Sequence, residues 1–78
     1  MASKLYGAVD SNKLPVNCHI VEVNREGFGY SVVHKHKGKL IYTAAFTDGH
    51  DAMRVASNIG NRQEMNGEQA FVLVNPHR

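Results

Sequence analysis

Three stretches with alternating apolar and polar positions, rich in β-branched residues, fill the first half of the chain. Val16 to Asn24 (VNCHIVEVN) runs into the polar Asn24-Arg25-Glu26-Gly27. Phe28 to Lys35 (FGYSVVHK) runs into His36-Lys37-Gly38, and Lys39 to Phe46 (KLIYTAAF) follows. Strand, glycine-containing turn, strand, turn and strand predict an antiparallel meander. After Phe46 the spacing changes, because Ala52, Val55, Ala56 and Ile59 recur at intervals of three and four with Met53 beside them. That is the stripe of an amphipathic helix. Thr47 or Asp48 can cap its start, Asp48 and Asp51 suit the positive end of its dipole, and Gly60 or Asn66-Gly67 can end it. A last apolar run, Ala70 to Val74 (AFVLV), is short, continuous and bounded by Asn66-Gly67 and Asn75-Pro76. It predicts a strand with contacts on both faces.

The side chains also suggest a register. A three-residue loop His36-Lys37-Gly38 pairs Lys35 with Lys39 and places Phe28, Tyr30, Val32, His34, Leu40, Tyr42, Ala44 and Phe46 on one face. A four-residue first loop pairs Val23 with Phe28 and adds Val21 and Val23 to that face, which the helix covers. The opposite face carries Cys18, Ile20, Glu22, Ser31, Val33, Lys35, Lys39, Ile41 and Thr43. The expected architecture is α+β, a two-layer β-β-β-α-β domain in which an antiparallel meander packs on one helix. Lys4 to Val9 can add an N-terminal edge strand, and Asp10 to Pro15 reads as a loop. The whole chain, 1–78, reads as one domain: an N-terminal segment and loop over 1–15 and a core over 16–75.

At 78 residues there is one core to build, and 42% apolar against 21% charged residues is the balance of a folded domain. One cysteine allows neither an intramolecular disulfide nor a cysteine-rich zinc site. No apolar run approaches a membrane span or a signal sequence, so a cytoplasmic, membrane-free protein is expected. The net charge of +2 is mildly basic.

Enzyme signatures fail. Gly27-Phe28-Gly29 lacks the third glycine and the following helix of a dinucleotide site, and no phosphate loop or nucleophile elbow is present. Cys18 and His19 are adjacent on a strand and point to opposite faces, so they form no dyad. His19 and His34 fall on neighbouring strands of one face, within reach of a shared divalent metal, yet no third ligand is evident on that face. No enzyme activity, cofactor or metal is therefore expected. Two features point to binding. The tip His34-Lys35-His36-Lys37-Gly38-Lys39 concentrates charge that could meet phosphates, with Arg25 on the other hairpin loop. On the outer face, Ile20, Val33 and Ile41 rimmed by Lys35 and Lys39 form a patch suited to a protein partner or a homodimer, unless Leu5-Tyr6 folds across it. Arg54 and Arg62 on the helix's polar side offer a second surface.

A glycine-turned hairpin (GYSVVHKHKGKLIYTAAF) running into a capped helix (TDGHDAMRVASNIGNR) and one more strand resembles small bacteriophage-encoded inhibitors, anti-CRISPR proteins among them. The resemblance spans Val16 to Val74 and is one of size and element order. It implies a non-enzymatic inhibitor that blocks a bacterial defence or regulatory complex, protein or ribonucleoprotein, in the cytoplasm of a bacterial host. The mild positive charge argues for protein contact over DNA mimicry. The alternative is a nucleic-acid-binding regulator using Lys35, Lys37, Lys39 and Arg25.

Overall fold

Both hairpins of the meander close with two residues, because glycine supplies the positive φ that such tight turns require. A computed structural model describes residues 2–7, 10–15 and 17–75. Its elements are β1 (Ser3–Tyr6), a single 3₁₀ turn (Ser11–Lys13), β2 (His19–Glu26), β3 (Gly29–His36), β4 (Lys39–Phe46), α1 (Gly49–Met65) and β5 (Ala70–Val74). The sheet order is β1-β5-β2-β3-β4, with α1 packed on one face. This is the α+β meander and helix expected from the sequence, with the additional N-terminal strand in place. Val9 and Val16, taken as a strand end and a strand start, and Pro76, taken as a boundary, lie outside the described residues.

The registers differ from expectation in a way that keeps the faces of the strand residues other than Lys39, Leu40 and Ile41. Between β2 and β3 the loop is Gly27-Phe28, so Glu26 pairs with Gly29 and Val23 with Val32 rather than Phe28. Gly27 has φ 55°, the first-position conformation of a type II′ turn, whose twist matches that of the strands. Phe28, expected on the core face, becomes the turn residue and is fully exposed. Between β3 and β4 the loop is Lys37-Gly38, both with positive φ (54° and 78°), as a type I′ turn demands. A two-residue loop alone would turn β4 inside out. Ile41 corrects this as an extra residue: Lys35 pairs with Leu40, whereas His34 pairs with Tyr42 and Tyr30 with Phe46. The bulge restores Tyr42, Ala44 and Phe46 to the face that holds Tyr30, Val32 and His34.

On that face α1 presents a narrow stripe of small residues, Ala52, Ala56 and Gly60, to Val21, Val23, Val32, Ala70 and Val72. Gly60 sits inside the helix and does not end it. A Cβ there would lie 2.9 Å from Ala2 Cβ and 3.0 Å from Val72 Cγ2, so glycine permits this close approach. Asp48 caps the start, its carboxylate accepting from the His50 N–H at 2.8 Å. Asn66-Gly67 ends the helix, with Asn66 N–H donating back to Arg62 and Gln63.

β5 lies between β1 and β2, parallel to both. Its continuous apolar run follows from that central place: Val72 faces the helix, Leu73 faces the other way, and neither is exposed. Because β1 and β2 are parallel and flank β5, the chain joining them must cross one face of the sheet, and α1 occupies the other. Leu14 and Pro15 accordingly sit by Ile20 and Lys35 on the outer face. Glu22, Asn24, Ser31 and Leu73 are buried there. The outer face is therefore covered in part, with Leu14 and Pro15 of the connection after β1 lying over it while Leu40, Thr43 and Ala45 of β4 stay exposed; Leu5 and Tyr6 lie in the sheet itself. Among the described residues no helix is long and apolar enough to cross a membrane.

Candidate functional site

The stripe on α1 seats the helix over β2, β3 and β5 and covers β4 less than these three. β4 is also a sheet edge, paired only with β3. Its first residues expose large apolar side chains: Leu40 is 61%, Ile41 54% and Tyr42 43% exposed. Val55 and Ile59, on the flank of the helical stripe, face Ile41 and Tyr42 across a cleft of about 430 Å³ whose wall also includes His34 and Arg62. Arg62 is the cation of the last helical turn, where the dipole favours positive charge.

This arrangement corrects the expected patch. Ile41 does not join Ile20 and Val33: the bulge turns it to the helix-side cleft, and Ile20 and Val33 are half-buried on the outer face. Leu40, expected in the core, pairs with Lys35 and so is turned to the outer face at the edge of the sheet, whereas Tyr42 stays on the helix side and is exposed because α1 covers β4 less than β2, β3 and β5.

The basic residues are dispersed. Lys35 Nζ lies 3.7 Å from Glu22 Oε2, a nearly buried carboxylate that it neutralises on the outer face. Lys37 and Lys39 are exposed at the tip. Arg25 is not near them. Successive hairpins of a meander turn at opposite ends, so the eight residues of β3, at roughly 3.3 Å each, put about 25 Å between Arg25's end and the lysine tip. Arg54 forms an exposed ion pair with Asp51 at 2.7 Å, one helical turn away.

His36 is not a loop residue. The two-residue turn makes it the last residue of β3, directly opposite His19, and their rings stack at 3.8 Å with 13° between planes. His19 Nδ1 lies 2.9 Å from His34 Nε2, and His19 Nε2 lies 3.0 Å from Glu68 Oε2. Which nitrogen donates depends on the tautomers. Both His19 and His34 are buried, at 5% exposure each. Burial pushes the His34 imidazole below its ordinary pKa, and repulsion from His19 and His36 adds to the shift. The sequence places His19 and His34 together but misses two members of this cluster. His36 was hidden by the loop length. Glu68 arrives through the parallel pairing of β5 with β2, which brings His19 opposite Ala70 and carries no local sequence signal.

Cys18 is buried, its thiol donating to the Pro15 carbonyl at 2.9 Å, and burial raises its pKa. Among the described residues no histidine is hydrogen-bonded to it, in keeping with a packing role. No protein-family model, curated protein or solved structure matches the chain.

Proposed function

We propose that this is a non-enzymatic binding protein that docks on a larger bacterial protein complex through β4 and the cleft between β4 and α1. The observation carrying the reading is the run Leu40-Ile41-Tyr42, more than two-fifths exposed throughout, on an edge strand beside an apolar cleft. Monomeric proteins usually guard edge strands and keep such side chains apart. The fitting occupant is an extended segment of the partner. It would add main-chain hydrogen bonds to β4 beyond the bulge and seat alternate apolar side chains against Ile41, Tyr42, Val55 and Ile59. Arg62 in the cleft and the exposed Lys39 at the start of β4 favour acidic residues beside those anchors. Inhibition of a bacterial defence or regulatory complex, as the resemblance to phage inhibitors implies, is the biological form of this reading. The nucleic-acid alternative draws less support, since Lys35 is engaged by Glu22 and Arg25 lies at the far end of the sheet.

The test is retention of tagged protein on bacterial lysate, with nuclease and in elevated salt, for three forms: the natural chain, Ile41→Asp and Phe28→Ser. One stoichiometric protein complex held by the natural chain and Phe28→Ser, and weakened at least about tenfold by Ile41→Asp, is expected of a buried anchor. Retention that nuclease abolishes, or that Ile41→Asp leaves unchanged, would refute it.

A further inference from the structure

The histidine cluster adjoins the β4 hairpin, with His36 opposite Lys39 and His34 also in the wall of the cleft, but its ligand geometry requires neither the exposed edge of β4 nor a partner. One ring nitrogen each from His19 and His36 and a carboxylate oxygen of Glu68 lie within 4.8 Å of one another. The three groups come from β2, β3 and the segment entering β5, at one end of the sheet. A tetrahedral zinc with bonds near 2.0–2.1 Å separates its donors by about 3.3–3.4 Å. The His19–Glu68 distance of 3.0 Å is already close to that, and His36, whose ring nitrogen lies within 4.8 Å of both, must turn out of its stack on His19, because an imidazole lone pair lies in the ring plane and two parallel rings cannot both aim at one ion.

The orientation of His19 is fixed from behind. Its Nδ1 is 2.9 Å from His34 Nε2. With the ring proton on Nδ1 donated to His34, Nε2 is left with its lone pair directed at Glu68, and a cation between them replaces the proton that otherwise links the two. A ligating histidine held through its other nitrogen is the usual outer shell of a metal site. The donor set matters too. Two imidazoles and one carboxylate suit a borderline divalent ion and leave a fourth position for water or a partner's side chain, whereas magnesium and calcium prefer oxygen ligands alone.

We propose that His19, His36 and Glu68 form a binding site for a divalent transition metal of the zinc class, with His34 orienting His19 from the second layer. Bound there, the ion ties β2 and β3 to the α1–β5 connection.

The experiment uses full-length protein without a histidine tag, stripped with chelator and melted with increasing Zn²⁺, Co²⁺ or Mg²⁺. At Zn²⁺ a hundredfold above its dissociation constant, the melting temperature should rise by roughly 10 °C or more. One equivalent of Co²⁺ should give the intense visible bands of a four-coordinate ion. Glu68→Gln alters an exposed side chain and His36→Ala a half-buried one, so both should fold, as their metal-free melting checks. Each should lose the Zn²⁺-dependent rise and the Co²⁺ bands. No rise in the natural chain, an equal rise with Mg²⁺, or a rise kept in both variants would overturn the site. So would Co²⁺ bands of a six-coordinate ion, which belong to loose surface binding.

Discussion

Two leucines on different strands separate the observed packing from the face pattern read along the chain. By sequence periodicity Leu40 belongs to the core face; in the structure it is 61% exposed on the edge strand, and Leu73 on the outer face is fully buried. Leu73→Ala removes a side chain with no exposed surface on an interior strand of the sheet. A buried Leu→Ala change costs about 2–5 kcal/mol through lost transfer energy and the remaining cavity, and about 3 kcal/mol is a fair centre. Total stability for a chain of 78 residues is about 4–12 kcal/mol, so this is a large share of it. Leu40→Ala gives up only exposed area and should stay within about 0.5 kcal/mol of the natural chain. Urea unfolding followed by circular dichroism measures both. With a slope near 1–1.5 kcal/mol/M, Leu73→Ala should lower the midpoint by about 2–3 M, and Leu40→Ala by less than about 0.5 M. Equal losses, or a larger loss at Leu40, would mean that Leu73 is not enclosed on the outer face or that Leu40 is packed rather than exposed. The burial of β5 and the exposed edge of β4 would then be wrong.

Gly60→Ala sets two effects against each other. Helix propensity favours alanine by about 1 kcal/mol, but the new methyl meets the fully buried Val72, whose branched side chain has little freedom to yield, and overpacking costs about 1–3 kcal/mol. A net loss of about 1 kcal/mol should lower the melting temperature by roughly 4–8 °C; a rise would show that α1 does not sit this close to the sheet. Cys18, buried with a raised pKa, should react with a thiol reagent at pH 8 at least about tenfold more slowly in the native protein than in urea. Equal rates would place it at the surface.

The elements were legible because local periodicity specifies them, and the faces outside Lys39-Leu40-Ile41 survived wrong loop lengths for a definite reason. Side chains alternate with period two, so an error of an even number of residues moves partners along a strand without inverting it. The periodicity pairs Val23 with Phe28, and in the structure Val23 meets Val32, a displacement of four. The second hairpin is subtler. Its loop is one residue shorter than expected, an odd change that would have inverted β4, and the bulge at Ile41 adds the compensating residue. Nothing in Lys39-Leu40-Ile41-Tyr42 announces a bulge. It was needed because Lys37 and Gly38 both adopt positive φ in the tighter turn, whose twist suits the strands.

The sites depended on what periodicity cannot carry. The cleft exists because α1, with Gly60 and two alanines on its stripe, settles over the centre of the sheet and covers β4 less; helix position across a sheet has no signature in a single strand's pattern. Glu68 reaches His19 only because β5 inserts between β1 and β2, a long-range choice made by an apolar run that needs burial on both faces. The same insertion forces the β1–β2 connection over the outer face and removes the patch of Ile20, Val33 and Ile41 that the alternation suggested. One topological fact, the central place of β5, thus both hides the expected surface and assembles the histidine cluster. A change that expels β5 from the sheet should therefore expose the first and dismantle the second together.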